Sequence, residues 1–423
     1  MAGTTVPAGS AIARKLYSVA LFAQTQRANG FTNNLTGPAP QQGQAEAKIK
    51  AQTSPDMPIV RVTDLSKTAG DKISIDLAGV IGGKPVMGDT NAEGTGSALS
   101  FSSMDVSIDL TTKAVDVGGK MSQQRTLHNL RGLAMANLTG YFARLNDQAS
   151  LTHLAGARGF QTGNDWVVPL AADGDFASIM VNTVKAPTYN RHYVVNGTGL
   201  TKGGQQLGSI ATTDLLKLTH IDGLRTIIDE MEFPLQPVKI ADDPAAADEP
   251  MWVLYVSPRQ WSSLLAEASG IRTFQQNAWN RASYGSKHPL FKGEVGMWNG
   301  ILVKKLNRAI RFTTGTAAQV ITSGNAATAT ESSQSIAGAI TASYAVDRAV
   351  LLGAQALANV YGKNKSSDYH FSWYEREYNF DRALEVAGDM MGGMSKVRFN
   401  YDESGVATPT DHGVIVLDTT VAL

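Results

Sequence analysis

The chain has 423 residues, with 37 Lys plus Arg against 37 Asp plus Glu. That length fits one very large domain or two to three modest ones, and a formal charge of zero removes the electrostatic footprint of a protein that grips nucleic acid through its phosphates. Charged residues make up 17% of the chain while apolar ones stay at 43%; against roughly 25% charge in an ordinary soluble domain, this implies a surface largely covered by other copies or partners.

Residues 1–56 read as an arm. Ser10 to Arg27 carries one weak apolar stripe, Ile12, Leu16, Val19 and Phe22, and Thr36 to Pro55 is a mixture of Gly, Pro, Gln and Ala that cannot bury a core of its own. Arg14 and Lys15 precede an apolar run, but Gln-Thr-Gln-Arg follows it in place of a small-residue cleavage site, so a helix is expected and not a signal peptide. No stretch reaches the roughly 18 apolar residues of a membrane span. From Pro58 the pattern shortens to alternation, and Asp71 to Val117 reads as one long hairpin. Its ascending strand is Lys72 to Ala78, its polar tip Gly79 to Ser97, and its descending strand carries Met104, Val106, Ile108, Leu110, Val115 and Val117. An isolated hairpin is marginal in water, so this one needs a surface to lie on.

Ser122 to His153 is the clearest helix. Leu127, Leu130, Ala134, Leu138, Tyr141, Leu145 and Ala149 step along one face, with Ser122 as the expected N-cap and Gly156 as the stop. From Asp165 the pattern is mixed. Thr213 is expected to cap a helix running to Met231; Met251 to Val256 and Ile301 to Leu306 read as strands; Ser257-Pro258 opens a helix with a cap followed by proline at the first helical position, stopped by Gly270. Thr313 to Ser343 is an Ala, Thr, Ser and Gly tract expected to form a loop or a weak strand pair. The C-terminal stretch carries aromatics and alternation at Phe371, Trp373, Tyr374, Tyr378 and Phe380, then at Val397, Phe399, Val414 and Val416, as strands returning to an earlier layer would.

Tests for chemistry find little. Cysteine is absent, which excludes disulfides, thiolate zinc sites and Cys nucleophiles. Gly79 to Pro85 has Pro85 where a phosphate loop needs Ser or Thr, and Gly197 to Gly203 misplaces its third glycine for a dinucleotide fingerprint. The seven histidines show no metal-ligand spacing. The one dense charge group, Glu375, Arg376, Glu377, Asp381, Arg382 and Glu385, is either a solvated face or an ion-pair network across a subunit boundary.

Seven short segments, taken in order, carry a family resemblance. They are Met57-Pro58-Ile59-Val60, Gly70-Asp71-Lys72-Ile73, Gly83 to Asp89, Leu99-Ser100-Phe101, Gly118 to Thr126, Leu352 to Leu357 and Lys396-Val397-Arg398-Phe399. Together they resemble the major capsid proteins of tailed bacteriophages, in the branch typified by podophage N-four. The resemblance implies an α+β fold of the Hong Kong 97 type: an N-terminal arm (1–56), an extended loop (71–117), a peripheral domain with a spine helix (57–70, 118–164 and 345–423) and an axial domain (165–344). It further implies hexamers and pentamers in an icosahedral shell around double-stranded DNA. Scaffold, portal and decoration partners, weak DNA contact, assembly in the host cytoplasm, no membrane, no cofactor and no catalytic residue belong to the same expectation. The inter-subunit contact candidates are Lys84, Asp89 and Glu93 on the loop, Ile12, Leu16 and Phe22 on the arm, and Glu375, Arg376, Glu377 and Arg382. Other classes remain: a tail or sheath polymer, which would suit low charge and an unsupported hairpin equally, and an α/β enzyme, which would need a converging acid/base set.

Overall fold

The computed structural model describes residues 30–37, 53, 55–62, 70–78, 86–87, 101–125, 129–163, 165–239, 250–266, 295–313, 320–323, 331–334, 336, 340, 343–363, 370–380, 382–403 and 406–423. In chain order the elements are α1 (Gly30–Asn34), β1 (Ile59–Val62), β2 (Lys72–Ala78), β3 (Phe101–Ser107), β4 (Asp109–Gly119), α2 (Lys120–Arg125), α3 (Leu130–Ala155), α4 (Phe176–Met180), β5 (His192–Asn196), β6 (Gly199–Lys202) and α5 (Leu218–Glu230). There follow β7 (Trp252–Val256), α6 (Pro258–Ala266), β8 (Val295–Trp298), β9 (Ile301–Lys305), β10 (Ile310–Phe312), β11 (Val320–Ser323), β12 (Glu331–Gln334), β13 (Tyr344–Leu352), β14 (Leu357–Tyr361), β15 (Phe371–Tyr378), β16 (Ala383–Lys396), β17 (Arg398–Glu403), β18 (Val406–Asp411) and β19 (Val414–Ala422). Few helices and many strands make an α+β molecule.

Two sheets organise it. The first runs β1-β14-β16-β15, with β4 also on β16; the second runs β6-β5-β19-β13-β7-β9-β8, with β10 also on β13. The long strand β16 anchors the first, holding β4 on one edge and β15 then β14 on the other. In the second, side chains alternate between two apolar clusters as the strand pleat requires: Val253, Tyr255, Leu302, Val350, Leu352, Val414 and Val416 face one, and Trp252, Leu254, Val256, Ile301, Val303, Leu351, Ile415 and Leu417 the other. Helix α5 covers the second cluster with Leu218, Ile221, Leu224 and Ile228.

Several boundaries differ from the sequence expectation. The hairpin is β2 with β3, paired from Lys72–Ser107 to Ala78–Phe101, whereas Val115 and Val117 belong to β4, which leaves the hairpin for β16. Strands β13 and β19, which the sequence reading grouped with the peripheral segments, pair with each other over nine residues in the second sheet. Their uninterrupted burial suits a strand covered on both faces. The long helix begins at Leu130 with Asn129 as its N-cap, the side chain accepting from the Gly132 N–H at 3.0 Å; Ser122 sits inside the separate turn α2. Asparagine caps at least as well as serine and competes with the backbone mid-helix. Likewise α5 starts at Leu218 and not at Thr213. The predicted capping at Ser257 is present: its Oγ accepts from the Gln260 N–H at 3.1 Å while Gln260 Oε1 accepts from the Ser257 N–H at 2.8 Å. The Ala, Thr, Ser and Gly tract contributes the short pair β11-β12.

Helix α3 joins the two sheets. Ala134, Leu138, Phe142 and Leu145 pack on Phe371, Trp373, Val386 and Met390 of the first, and Leu151 and Leu154 enter the core of the second. The single stripe expected from the sequence holds only for the first half, because from Leu145 to Ala155 every residue but the partly covered Ala149 is buried. Gly156 ends the helix at φ +67°, where a Cβ would stand 2.6 Å from the Lys185 carbonyl oxygen.

That helix end meets a buried charge cluster. Arg348 donates to the last helical carbonyl, Ala155 O, at 3.0 Å and forks onto Asp418 through two bonds of 2.8 Å, with both side chains fully buried. His192 Nε2 lies 2.7 Å from Asp418 Oδ2. Burial alone would raise the Asp418 carboxyl, but Arg348 and then His192 outweigh it and hold the group well below the usual carboxylate range. On the opposite face of β13, Asp347 forks onto Arg311 at 2.6 and 2.7 Å and accepts from Ser257 Oγ at 2.6 Å. A third cluster sets Lys396, 2.7 Å away, and Arg398, 2.9 Å away, on Asp411.

Removing one partner of a fully buried pair strands the other charge. Asp418→Asn is therefore expected to destabilise the unassembled subunit by about 3–5 kcal/mol in denaturant unfolding, and a loss below about 1 kcal/mol would mean that water reaches Arg348. The histidines set a pH window. Burial pushes His153, His370 and His412 down from 6.5 to about 4, so between pH 6.5 and 4 the unfolded chain takes up protons that the folded one refuses, and stability falls as pH falls through that range. The depressed carboxyls of Asp411 and Asp418 add a further loss only below the ordinary carboxylate range. Melting temperatures are expected to be level between pH 7 and 8, to decline toward pH 4, and to rise above pH 8, where the buried Lys396 ammonium, pushed down to about 8, loses its proton before it would in the unfolded chain; a flat profile between pH 7 and 4 would contradict the burial of these imidazoles.

Candidate assembly surface

Of the residues singled out in the sequence, Lys84, Asp89, Glu93, Ile12, Leu16 and Phe22 lie outside the described residues, as does the Gly79 to Pro85 segment. The C-terminal charge group is resolved into two parts. Glu375 is an internal clamp: its side chain is 1% exposed, it accepts from Arg131 Nε and Nη2 at 2.7 and 2.8 Å, and Trp373 Nε1 donates to it at 2.7 Å. The pair ties the first turn of α3 to β15 within one subunit. Arg376, Glu377 and Arg382 are exposed, around the turn that joins β15 to β16.

That turn carries a residue the sequence reading assigned to strand alternation. Asn379 and Phe380 adopt φ +56° and +55°, and Phe380 is 95% exposed. Asparagine tolerates the left-handed region; a phenylalanine there is strained, and burying its ring would contribute about 1.5–3 kcal/mol. Beside the turn, the Lys120 N–H donates to the Arg382 carbonyl at 2.9 Å, which brings in α2 with the exposed Met121. Tyr378, also exposed, donates its hydroxyl to Asp116 Oδ2 at 3.2 Å. One end of the first sheet thus gathers Phe380, Met121 and Tyr378 within a rim of Arg376, Glu377 and Arg382. The sequence signal was an aromatic residue flanked by turn formers in Tyr-Asn-Phe-Asp-Arg, which alternation alone cannot separate from a strand.

Two joints fix the extensions that leave the body. Asp147 on α3 accepts from the Phe31 N–H at 3.3 Å, the Thr32 N–H at 3.0 Å and Thr32 Oγ1 at 2.7 Å, while the Phe31 ring packs edge-on against Tyr255 at 5.0 Å. The short helix Gly30–Asn34 is therefore held at a fixed point on its own subunit. At the foot of the hairpin, Asn182 acts as a strand partner for one residue: its Oδ1 accepts from the Ser107 N–H and its Nδ2 donates to the Ser107 carbonyl, both at 2.9 Å. The preceding Val181 sits at φ +62°, ψ −58°, with the Asn182 N–H donating to Met180 O at 2.7 Å. This is the rarer, strained γ-turn, all the more so for a β-branched residue. On the other side Gly393 is obligatory, since a Cβ would lie 2.0 Å from the Ser107 carbonyl oxygen.

Nothing in the described residues points to chemistry. No group of three His, Asp or Glu residues converges as a metal site among them, and no helix among them is long and apolar enough to cross a membrane. A surface cleft of about 370 Å³ beside β5, β6 and the end of α5 is lined by Arg191, Lys202, Glu230 and Glu232, but Arg191 is engaged with the Asp411 and Phe233 carbonyls.

The Asn182 clamp gives a local expectation. Asn182→Ala should raise amide hydrogen exchange in β2 and β3 while β7 and β13 keep their protection, because two hydrogen bonds worth about 0.5–1.5 kcal/mol each act only at the hairpin foot. Equal loss of protection in all four strands would show that the clamp supports the whole fold instead.

Comparison with known proteins agrees with this architecture. The family model described as phage capsid protein matches residues 5–423. Among solved structures, the capsid of Ralstonia phage GP4 superposes with a TM-score of 0.69 at 26% identity, covering 88% of each chain. The cyanophage Pam1 capsid asymmetric unit does so with 0.59 at 19% identity, covering 87% of this chain and 89% of the other. The acid-stable capsid of Helicobacter pylori bacteriophage KHP30 gives 0.52 at 13% identity, covering 91% and 93%; these last two share the fold. A search of curated protein sequences finds no significant relative. A family match along almost the entire chain, together with a fold shared from end to end with phage shells, places this protein in the phage capsid protein family, as the major capsid protein of a bacteriophage virion.

Proposed function

We propose that the subunit builds a closed icosahedral shell of the Hong Kong 97 type, from hexamers and pentamers, around double-stranded DNA. In this reading the first sheet with α3 is the peripheral unit and its spine. The second sheet with α5 and α6 is the axial unit, to which β13 and β19 belong, and β2 with β3 supports the extended loop. The observation that carries the reading is the turn at Phe380, which combines backbone strain with an almost fully exposed aromatic ring. An isolated subunit recovers neither cost, whereas a second copy seated on Phe380 and Met121, with Arg376, Glu377 and Arg382 pairing across the rim, recovers the burial. Loop residues Lys84, Asp89 and Glu93 and arm residues Ile12, Leu16 and Phe22 are further proposed contacts. The 37 to 37 charge balance supports weak contact with the packaged DNA, since a coat that neutralised phosphates would hold the genome by counterion release. Scaffold, portal and decoration proteins are the further partners of such a shell, and assembly takes place in the host cytoplasm.

The test is Phe380→Ser. Purified subunits are expected to keep their melting temperature, because only an exposed ring is lost and serine keeps the same backbone strain, yet to fail to form shells by sedimentation and electron microscopy. Shells at the unmodified yield would remove the turn from the interface, and tubes formed by the unmodified protein would overturn the closed-shell reading.

A further inference from the structure

Between α3 and the first sheet lies a small cavity of about 30 Å³, walled by Asn146 and His153 of α3, Asn359 of β14, Met390 and Gly392 of β16, and the strained turn at Val181. Asn146 is 1% exposed and Asn359 is fully buried. Neither amide atom of Asn146 has a protein partner, nor does Asn359 Oδ1; the Asn359 Nδ2 donates to Tyr361 Oη at 3.0 Å. Leaving a buried donor or acceptor unmet is costly, and here five such atoms, the two ring nitrogens of His153 included, belong to three side chains that line one space. Apart from Thr111, His153 and Tyr361 the rest of the wall is apolar, with Leu145, Met390 and Met394 among it, so leucine at position 146 would suit most of the surroundings better than asparagine unless the amide has an occupant to bind.

We propose that this cavity is a specific internal water site, holding one or two molecules that bridge Asn146 to Asn359. A water needs about 10–15 Å³ of such space and two to four polar partners. The cavity is large enough for one or two and too small for an organic ligand. Asn146 offers both a donor and an acceptor and Asn359 an acceptor, a mixed set that suits water; no carboxylate lines the cavity to hold a cation. Burial keeps the His153 ring neutral, with Lys396 and Lys185 reinforcing that effect, so the site carries no net charge to recruit an ion. The bridge fastens the buried half of α3 to β14 by exchangeable hydrogen bonds.

Two measurements test it. A cryo-electron microscopy map of the assembled shell, at a resolution that shows ordered water, is expected to contain one or two peaks within hydrogen-bond distance of the Asn146 amide and Asn359 Oδ1. An empty cavity, a direct Asn146–Asn359 bond, or xenon uptake at the site under pressure would overturn the assignment. Independently, Asn146→Leu is expected to lower the subunit's melting temperature, because it expels the water and strands Asn359; a rise would show a dry cavity in which the amide had been merely unsatisfied. Should the variant not fold, the map of the unmodified shell decides alone.

Discussion

The last third of α3 runs between two sheets with no face to solvent, and the subunit is arranged around the consequences. A helix in that position cannot leave a polar side chain unpaired without a penalty of about 1–3 kcal/mol for each group, yet this one carries Asn146, Asp147, Gln148, Ser150, Thr152 and His153 in the buried stretch. Two of these residues recruit another part of the chain. Asp147 holds α1, and Gln148 accepts from the Val167 and Val168 N–H groups at 2.7 and 3.1 Å and donates to Asp165 O at 2.6 Å. Ser150 and Thr152 return to the carbonyls four residues back. The helix is thus a rod onto which arm, connector and both sheets are fastened by polar bonds within an otherwise apolar packing.

Its C-terminus imposes a second demand. Backbone carbonyls at a helix end carry partial negative charge, and here the end is buried against β13, where Arg348 supplies the donor. Burying that guanidinium in turn requires Asp418, which β13–β19 register places directly opposite. The adjacent Asp347 points to the other face of the same strand, where β13–β10 register sets Arg311 opposite it. Two neighbouring residues of opposite charge therefore serve opposite faces of one sheet. The register of three strands is fixed at this point, because a slip of one residue would exchange the faces and strand both charges in apolar clusters.

Departures from these rules sit at the margins. Phe380 and Val181 occupy backbone regions that disfavour them, one at an exposed turn and the other at the foot of the hairpin. Strain concentrates where a structure must present or hold something for another purpose.

Much of this was legible in the sequence. Alternation located β2, β3 and, in outline, β15, β17 and β19, apolar runs marked β7 and β9, Gly156 marked the helix stop, Ser257-Pro258 marked the start of α6, and zero net charge with few charged residues pointed to an assembly subunit. These are local signals: pleat period, capping chemistry and composition act over a few residues and survive without tertiary context. What only the tertiary structure decided is which strands share a sheet, that β4 abandons the hairpin for β16, that Glu375 is an internal clamp while its neighbours Arg376 and Glu377 face outward, and that Phe380 belongs to a turn. Strand β4 pairs with β16 across 264 to 283 residues of chain and Glu375 meets Arg131 across 244, and such pairing is set by long-range register and shared burial, quantities that no single window of sequence contains.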